Sequence, residues 1–340
     1  MKKLLIIFVT GVILSFMFGC EEVFIEEPSR HPEAIFEDLW TTFHQEYAPF
    51  EEREVNWLSE YDTYRPMVDA TTSDTELFSI VSQMLETLDD GHVSLTAPDK
   101  EVFFSNQARR ELIDDELFNV QNIKKYLEPG VREGEEQSYL YGKIKNERIG
   151  YIFFDHVGEN LFRINDFLAE YEEMEGFIID LRHNKGGDFT FGFSEIGRLT
   201  DRPRYVFKSR TKNGPEPDDY TDWHEWYIHP KGAYLHQPIV VLTDRYTISA
   251  GERLVMALKT LPTTMTIGDT TNGAHGTLVG RELANGWFYS LVPQKVEMYD
   301  GNSYEGIGLA PDLYSKNLPS EIKDGIDKTL QTAINQLTNN

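Results

Sequence analysis

The stretch PIVVLTDRYTISAGERLVMAL, residues 238–258, joins two kinds of secondary structure. Its first part, 238–243, is an apolar run typical of a buried strand, and its last part, 252–258, is typical of a helix. Ser249 lies between them and is followed by two small residues. A strand that leads directly into a helix is a unit of α/β proteins, so this stretch predicts that class.

The rest of the chain supports this prediction. Residues 150–154 and 177–181 are predicted strands with a predicted helix at 159–174 between them, which makes a βαβ unit. Residues 31–96 instead have apolar side chains at helical spacing. The pattern predicts an α/β fold with a helical N-terminal subdomain. Further predicted elements are a helix near 189–199, a strand at 264–267, a hairpin over 278–298 and a helix at 321–337.

Composition changes along the chain predict its divisions. Lys2 and Lys3 precede an apolar run that ends at Gly19-Cys20, which is the pattern of a secretory signal. Cys20 is the only cysteine, and its position resembles that in a bacterial lipoprotein signal. We therefore expect a lipid anchor at Cys20 and a place in the cell envelope, on a periplasmic or surface-facing side of a bacterial membrane. The predicted divisions are a lipoprotein signal at 1–20, a tether at 21–30, a helical subdomain at 31–96, an irregular connecting segment at 97–147 and an α/β core at 148–340.

Charge and composition disfavour several classes of protein. A net charge of −25 argues against nucleic acid as a partner. With a single cysteine, disulfides cannot support the fold. The chain has no H-E-x-x-H, no P-loop and no G-x-G-x-x-G after a strand, so we predict neither a metal nor a cofactor. The sequence predicts no oligomeric state.

The second helix of the N-terminal subdomain has clear local signals. Ser73 and Glu76 have the spacing of a capping box, which predicts the helix start. Gly91 is expected at the C′ position of this helix, directly before His92. Because helix C-terminal carbonyl groups favour an imidazolium, His92 is a candidate general base.

Ser249 and the Gly186-Gly187 pair each have two interpretations. At a strand-to-helix turn Ser249 could be an exposed nucleophile, with the N–H of Ala250 beside the oxyanion, or simply an N-cap residue. The two glycines could aim N–H groups at developing negative charge, or could form a turn that requires positive φ.

A nucleophilic serine needs a base, and the chain has nine histidines. Besides His92, three of them lie at a strand end or beside glycine-rich loops, and composition alone does not choose among them. These three are His156, His183 and His275.

Five segments, in this order, resemble the C-terminal processing (tail-specific) peptidase family, which includes the tricorn protease core. They are LDDGHVSL at 88–95, GFIIDLRHNKGG at 176–187, IVVLTDRYTISAGERLVMAL at 239–258, IGDTTNGAHG at 267–276 and YEGIGLAPDL at 304–313. The resemblance runs from about residue 32 to 315. It implies a crotonase- and ClpP-like β-β-α spiral core behind a helical N-terminal subdomain, and serine-dependent peptide hydrolysis. The family often inserts a PDZ domain, for which residues 97–147 are too short.

The resemblance also implies a nucleophile and an oxyanion hole. Ser249 matches the family's nucleophile. The N–H of Ala250, together with Gly186 or Gly187, matches the oxyanion hole.

For the base, the resemblance distinguishes two branches of the family. One branch uses a Ser–Lys dyad, and Ala274 stands where its lysine would be. The tricorn-like branch uses Ser, His and Glu, and His92 and Glu305 match the last two of these. Gly91 stands where tricorn has a second serine. His275, one residue from the missing lysine, remains a rival base.

These observations predict a serine peptidase that hydrolyses peptide bonds through a Ser-His-Glu triad and takes a peptide or protein substrate. Two alternatives stay open. One is a catalytically inactive, peptidase-like binding lipoprotein, because a fold alone does not determine function. The other is an esterase that uses the same triad.

Overall fold

The computed structural model describes residues 29–106 and 115–339, so the predicted signal, Cys20 and most of the tether lie outside the described residues. Within these ranges the α-helices are α1 (Pro32–Glu46), α2 (Trp57–Tyr64), α3 (Asp74–Glu86), α4 (Val120–Ile123), α5 (Arg163–Glu170), α6 (Phe189–Glu195), α7 (Ala250–Lys259), α8 (Pro319–Lys323) and α9 (Lys328–Thr338). The strands are β1 (Ser94–Thr96), β2 (Phe103–Phe104), β3 (Arg132–Glu133), β4 (Tyr139–Lys143), β5 (Ile149–Phe154), β6 (Gly176–Asp180), β7 (Arg204–Thr211), β8 (His224–Ile228), β9 (Ile239–Thr243), β10 (Thr264–Gly268), β11 (Val279–Glu282), β12 (Phe288–Leu291), β13 (Gln294–Met298) and β14 (Leu313–Tyr314).

A seven-stranded sheet with the order β14-β10-β9-β6-β5-β4-β3 forms the centre of the core. Its strands β5, β6, β9, β10 and β14 are parallel, and β4 and β3 are antiparallel at one edge. Because parallel strands run in the same direction, the loops after β5, β6, β9 and β10 meet at one end of the sheet. Ligand sites of open α/β sheets form at this end.

Both faces of this sheet are covered, which explains its nearly continuous apolar strands. Along β5, Ile152 and Phe154 belong to one buried cluster and Tyr151 and Phe153 to another, as the alternation of side chains in a strand requires. The first cluster includes α5–α7 and the antiparallel sheet β13-β7-β8, and the second includes α9.

The N-terminal helices form a separate layer with its own core. Ile35, Leu39, Phe43 and Tyr47 are each at most 1% exposed, as their helical spacing predicts. This layer also contains the antiparallel sheet β11-β12-β1-β2. The hairpin β11–β12 therefore packs with the N-terminal helices, although the sequence analysis assigned it to the α/β core.

The predicted α/β class with a helical N-terminal subdomain is confirmed. The capping box of α3 is also present, because Ser73 N–H donates to Glu76 at 2.9 Å and Glu76 N–H donates to the Ser73 hydroxyl at 3.3 Å. The segment 97–147 is less irregular than predicted, because β4 pairs with β5 as a strand of the main sheet.

The prediction of one helix at 321–337 is wrong. The chain instead forms α8 and α9, separated at Gly325, whose φ of 79° is incompatible with a continuous right-handed helix. Asp327 then caps α9 by accepting a hydrogen bond from Leu330 N–H at 2.9 Å. Apolar residues at helical spacing on both sides of the break produced one apparent period.

Two other predicted helices are shorter than expected. The α-helical part of 159–174 is α5, preceded by a 3₁₀ turn at Glu159–Phe162. The stretch near 189–199 contains α6 and a 3₁₀ turn at Ile196–Leu199. Within 29–106 and 115–339, none of the helices combines the length and the apolar character needed to cross a membrane.

Candidate active site

Ser249 occupies the sharp turn between β9 and α7. Its φ of 58° and ψ of −123° are unfavourable for a residue with a side chain, and such strain concentrates at functional sites. Ser249 N–H donates to Ala274 C=O and to Glu252 Oε2, both at 3.2 Å. The Ser249 hydroxyl does not cap α7. The turn thus has the geometry of a nucleophile elbow, with the hydroxyl held at the end of the sheet.

Glu252 holds this turn from inside the protein. Its buried carboxylate accepts hydrogen bonds from the Thr271 hydroxyl at 2.5 Å, Gly273 N–H at 2.8 Å and Ala274 N–H at 2.9 Å, besides that from Ser249. Burial by itself would raise the pKa of Glu252, but the charge of His275 and these hydrogen bonds outweigh burial and lower the pKa to about 2. Glu252 is therefore ionised, and it joins the turn before α7 to the loop 269–276.

The Gly-Gly loop after β6 packs directly against Ser249. A Cβ atom on Gly186 would lie 2.6 Å from Ser249 Cβ, so only glycine fits there. Gly186 is buried, and its N–H donates to Asn184 Oδ1 at 3.0 Å. Gly187 is exposed to the cleft described below, and no described hydrogen bond has the N–H of Gly187 or of Ala250 as its donor. The geometry therefore favours Gly187 over Gly186 as the partner of Ala250 in an oxyanion hole.

His92 and Ser249 line the same cleft, which has a volume of about 940 Å³. The His92 ring is buried, and neither of its nitrogen atoms has a hydrogen-bond partner within the described residues. Its backbone is fixed on both sides, because His92 N–H donates to Asp90 Oδ1 at 2.8 Å and His92 C=O accepts from the Ser290 hydroxyl at 2.6 Å. An imidazole with free ring nitrogens can exchange a proton with a group that enters the cleft.

The surroundings of His92 differ from those expected. Helix α3 ends at Glu86, so Gly91 is not its C′ residue and His92 is not at a helix end. Burial lowers the pKa of His92, and the charges of Asp90, Glu305 and Glu252 offset only part of that effect.

Gly91 packs closely against three side chains. A Cβ atom on it would lie 2.9 Å from Ile248, 3.0 Å from Asn106 and 3.1 Å from Asn272. Ile248 directly precedes Ser249, so the loop that carries His92 packs onto the turn that carries the serine. The side-chain amide of Asn106 is buried, and neither its Nδ2 nor its Oδ1 has a hydrogen-bond partner within 29–106 and 115–339.

Glu305 lies near this site without contacting the His92 ring. Its Oε1 accepts from Arg53 Nη2 at 2.7 Å, and its Oε2 accepts from His275 N–H at 2.8 Å and Gly276 N–H at 3.2 Å. A Ser-His-Glu triad requires the imidazole N–H to donate a hydrogen bond to the glutamate, and no such bond from His92 to Glu305 is present among the described residues. Arg53 instead lies between Glu305 and the loop that carries His92, because its Nη2 is also 3.5 Å from Asp90 Oδ1.

His275, the rival base, is only 1% exposed and does not line the cleft. Its Nε2 lies 3.1 Å from Glu252 Oε1 and its Nδ1 lies 3.9 Å from Glu305 Oε2. Burial would lower the pKa of His275, but the two carboxylates outweigh burial and raise the pKa. His156 and His183 are each paired with an aspartate, at 2.6 Å. The structure thus brings Ser249, Ala250, Gly187 and His92 together and leaves the other three histidines elsewhere.

Two family models match the chain. Residues 148–315 match peptidase family S41, and residues 28–86 match the tricorn protease C1 domain. Residues 148–315 therefore form a peptidase family S41 domain. The S41 region contains Ser249, Glu305 and the Gly-Gly loop. His92 and Arg53 come from the part of the chain before it.

Relatives and solved structures agree with this assignment. The chain is 26% identical over 187 residues to the carboxy-terminal processing protease CtpA of Bacillus subtilis (strain 168), covering 54% of this chain and 38% of the relative. It is 27% identical over 198 residues to a carboxyl-terminal-processing protease of Synechocystis sp. PCC 6803, covering 56% and 44%. The matches thus span less than half the length of these relatives. A crystal structure from Parabacteroides merdae that is described as a peptidase superposes on this chain with a TM-score of 0.82. The two are 27% identical, and the match covers 91% of this chain and 97% of the other.

Three residues of this S41 site did not emerge from the sequence analysis: Glu252, Arg53 and Asn184. Glu252 had a local signal, because Ser249 and Glu252 have the S-x-x-E spacing of a capping box. Asn184 lies inside the quoted Gly-Gly stretch and orients Gly186. Arg53 had no local signal, since its partner Glu305 is 252 positions away.

Proposed function

We propose that this protein hydrolyses peptide bonds with Ser249 as nucleophile and His92 as general base. One observation carries the proposal: within the described residues, a strained serine, two N–H groups that donate no hydrogen bond and a buried imidazole without a hydrogen-bond partner line a single cleft. Strain of about 1–3 kcal/mol in the backbone of one residue persists only where surrounding contacts enforce it, and here Glu252 and Ala274 do so.

The proposed steps give each role to a group that lines the cleft. The Ser249 hydroxyl attacks the carbonyl carbon of the scissile bond while its proton passes to His92. The oxyanion that forms accepts hydrogen bonds from Gly187 N–H and Ala250 N–H. His92 then gives the proton to the leaving amine as the C–N bond breaks. Water attacks the resulting ester, giving a proton to His92, and the C–O bond to Ser249 breaks with return of that proton to the serine.

Glu305 has a different role in this proposal from that of a direct triad member. It binds Arg53, which also contacts the Asp90 carboxylate that accepts the His92 backbone N–H. Glu305 and Asp90 also stabilise the protonated imidazole through their charge. Glu305 is thus a positioning residue that acts on His92 through Arg53 and Asp90.

Labelling by a fluorophosphonate probe tests the nucleophile. The full chain should form a covalent adduct at Ser249, identified by mass spectrometry, and Ser249→Ala should abolish it. Ser194→Ala is the matched control, because the Ser194 hydroxyl bonds to Phe191 C=O within α6 and should leave labelling unchanged. A wild-type chain that is folded but unlabelled would contradict the proposal. Release of amines from a casein digest, absent in Ser249→Ala, separates a peptidase from an esterase.

We also propose that the chain is lipid-anchored in a bacterial cell envelope through Cys20. The support is the sequence pattern alone: Cys20 is the single cysteine and follows an apolar run behind Lys2 and Lys3. Expression of the full chain in a bacterial host should place the protein in the membrane fraction, and Cys20→Ala should release it. Equal membrane association of the two chains after signal cleavage would contradict the anchor.

A further inference from the structure

Arg253 is a buried cation on the wall of the cleft that contains Ser249. It lies one turn into α7 and is 2% exposed. Its guanidinium group packs over the rings of Phe189 and Phe207, with its Cζ at 4.5 and 5.0 Å from their centroids. Nothing in the peptide-hydrolysis mechanism above uses this charge.

The charge of Arg253 has no carboxylate partner. Its Nε donates to His275 C=O at 2.8 Å and its Nη2 donates to Gln294 Oε1, and both acceptors are neutral. Its Nη1 makes no hydrogen bond within the described residues. No carboxylate of 29–106 or 115–339 forms an ion pair with it. A buried charge without a counter-ion is costly, so a site that retains one commonly has a use for it.

The two carboxylates whose charges act on Arg253 are already engaged. Glu252 pairs with His275, and Glu305 pairs with Arg53. Burial lowers the pKa of Arg253 to about 10, and these two charges offset only part of that effect. Arg253 therefore remains protonated at neutral pH with its charge incompletely balanced. A carboxylate from a ligand would supply the missing partner, and a planar guanidinium suits that group.

We propose that Arg253 binds a carboxylate of the peptide substrate in the cleft beside Ser249. The protein then selects peptides that present an acidic side chain or a free C-terminal carboxylate at this position. This proposal rests on the proposed peptidase function, because it assigns the substrate class of the same cleft. Phe189, which packs on the guanidinium, also lines the cleft.

Binding to the Ser249→Ala chain tests this proposal without any turnover. The probes are fluorescein-labelled octapeptides of Ala and Leu with amidated C-termini, each with a single Glu or the matching Gln at one position. A third series has Gln and a free C-terminal carboxylate. In fluorescence anisotropy, one Glu position or the free carboxylate should bind at least tenfold more tightly than its neutral counterpart. Tighter binding of a Glu peptide assigns the contact to an acidic side chain. Tighter binding of the peptide with a free carboxylate assigns it to the C-terminus of the substrate.

Variants at Arg253 assign the preference to this residue. Arg253→Met, which keeps an apolar stem, should weaken binding of the acidic peptide by about 30-fold. The discrimination between acidic and neutral peptides should therefore be lost. Arg253→Gln retains hydrogen bonding to its neighbours and gives the same test if the Met variant does not fold. Lys185→Met is the matched control: Lys185 also lines the cleft, but its side chain is 78% exposed and screened, so discrimination should persist.

Two results would overturn the Arg253 assignment. One is equal affinity for acidic and neutral peptides, or no measurable binding together with equal kcat/KM values for both in wild-type hydrolysis. The other is discrimination that survives Arg253→Met and Arg253→Gln. Failure of the proposed function has a different signature, because then Ser249 is unlabelled by fluorophosphonate while binding to Ser249→Ala still reports on Arg253.

Discussion

The protonation states of the histidines in and beside this cleft depend on the balance between burial and nearby charge. His92 and His275 are both buried histidines, yet their pKa values shift in opposite directions. His275 lies beside the carboxylates of Glu252 and Glu305, which outweigh the effect of burial. His92 has no such direct partner, so the loss of hydration dominates. The residue in the cleft is thus the one kept neutral and able to accept a proton.

The pH dependence of hydrolysis should show this state. Because burial lowers the pKa of His92 and the neutral ring is the base, the acid limb of kcat/KM should have an apparent pKa below 6.5. The sequence analysis placed His92 directly after a helix end, which would have favoured a higher apparent pKa. His92→Gln should lower kcat/KM by about 10²-fold or more.

His156→Gln is the control for this experiment, since His156 is 41% exposed and paired with Asp155. It should leave the acid limb and the rate unchanged. Activity that persists in His92→Gln but is lost in His275→Gln, with both chains folded, would make His275 the base.

The strand-turn-helix unit β9–α7 is the element on which the site depends. Its turn is strained, and the carboxylate of Glu252 binds the backbone on both sides, at Ser249 and at Gly273 and Ala274. The same carboxylate pairs with His275. The element therefore carries its own support one helical turn from the nucleophile.

Replacing Glu252 should weaken both the fold and the site. Glu252→Gln removes the closer of the two carboxylates beside the buried His275, so we expect a loss of about 3 kcal/mol in the free energy of unfolding, measured by urea denaturation. The rate of fluorophosphonate labelling should also fall, because the turn is no longer held.

Glu195→Gln is the matched control, because Glu195 is a buried carboxylate paired with Lys231 at 2.8 Å in α6, away from the turn. It should reduce stability but not the labelling rate of the folded chain. Normal labelling in Glu252→Gln would show that the turn does not need this carboxylate.

The ion pair between Glu252 and His275 predicts how the free energy of unfolding depends on pH. The pKa of Glu252 is lowered from 4.5 to about 2, so its contribution is complete above pH 4.5 and is lost as the pH falls towards 2. The pKa of His275 is raised, so its contribution is complete below pH 6.5 and is lost as the pH rises through the raised value. The stability difference between wild type and Glu252→Gln, measured by urea denaturation across pH, should therefore be greatest between pH 4.5 and 6.5. A difference that is flat from pH 3 to 9 would contradict the pairing.

At the scale of the whole molecule, the cleft lies between two layers that come from different parts of the chain. The N-terminal layer supplies His92, and the main sheet supplies Ser249. Arg53 joins them: it donates to Gly273 C=O at 3.0 Å and to Glu305, and it also contacts Asp90. Within the N-terminal layer, β1 pairs with β12, a strand that follows α7 in the chain, with Ser94 opposite Ser290.

Removing the Arg53 contacts should separate the two halves of the site. Arg53→Met leaves Glu305 and Asp90 without their buried cation, so we expect about 3–5 kcal/mol of destabilisation. In chains that remain folded, kcat should fall more than KM changes, because the base and the nucleophile are no longer aligned, and Arg53→Lys should restore part of it.

Arg65→Met provides the comparison. Arg65 also pairs with two glutamates, but its side chain is 26% exposed and lies away from the cleft. Its loss should leave kcat unchanged. A wild-type kcat in folded Arg53→Met would mean that the layers align without this contact.

The amino-acid sequence by itself determined the features that depend on neighbours a few residues apart. The capping box of α3, the buried face of α1 and the strand-turn-helix around Ser249 all follow from local spacing. Local spacing gave wrong helix ends where the backbone conformation terminates a helix. The break at Gly325 and the early end of α3 at Glu86 leave the apolar periodicity intact.

Only the tertiary structure decided which distant groups share the cleft and what charge they carry. Arg53 and Glu305 are 252 positions apart, and the partners of Glu305 turned out to be Arg53 and two backbone N–H groups rather than the His92 ring. The unpaired charge of Arg253 and the opposite pKa shifts of two histidines likewise depend on packing. The physical reason is that desolvation and Coulomb energies depend on distance and burial in space, which sequence spacing does not encode for residues far apart in the chain.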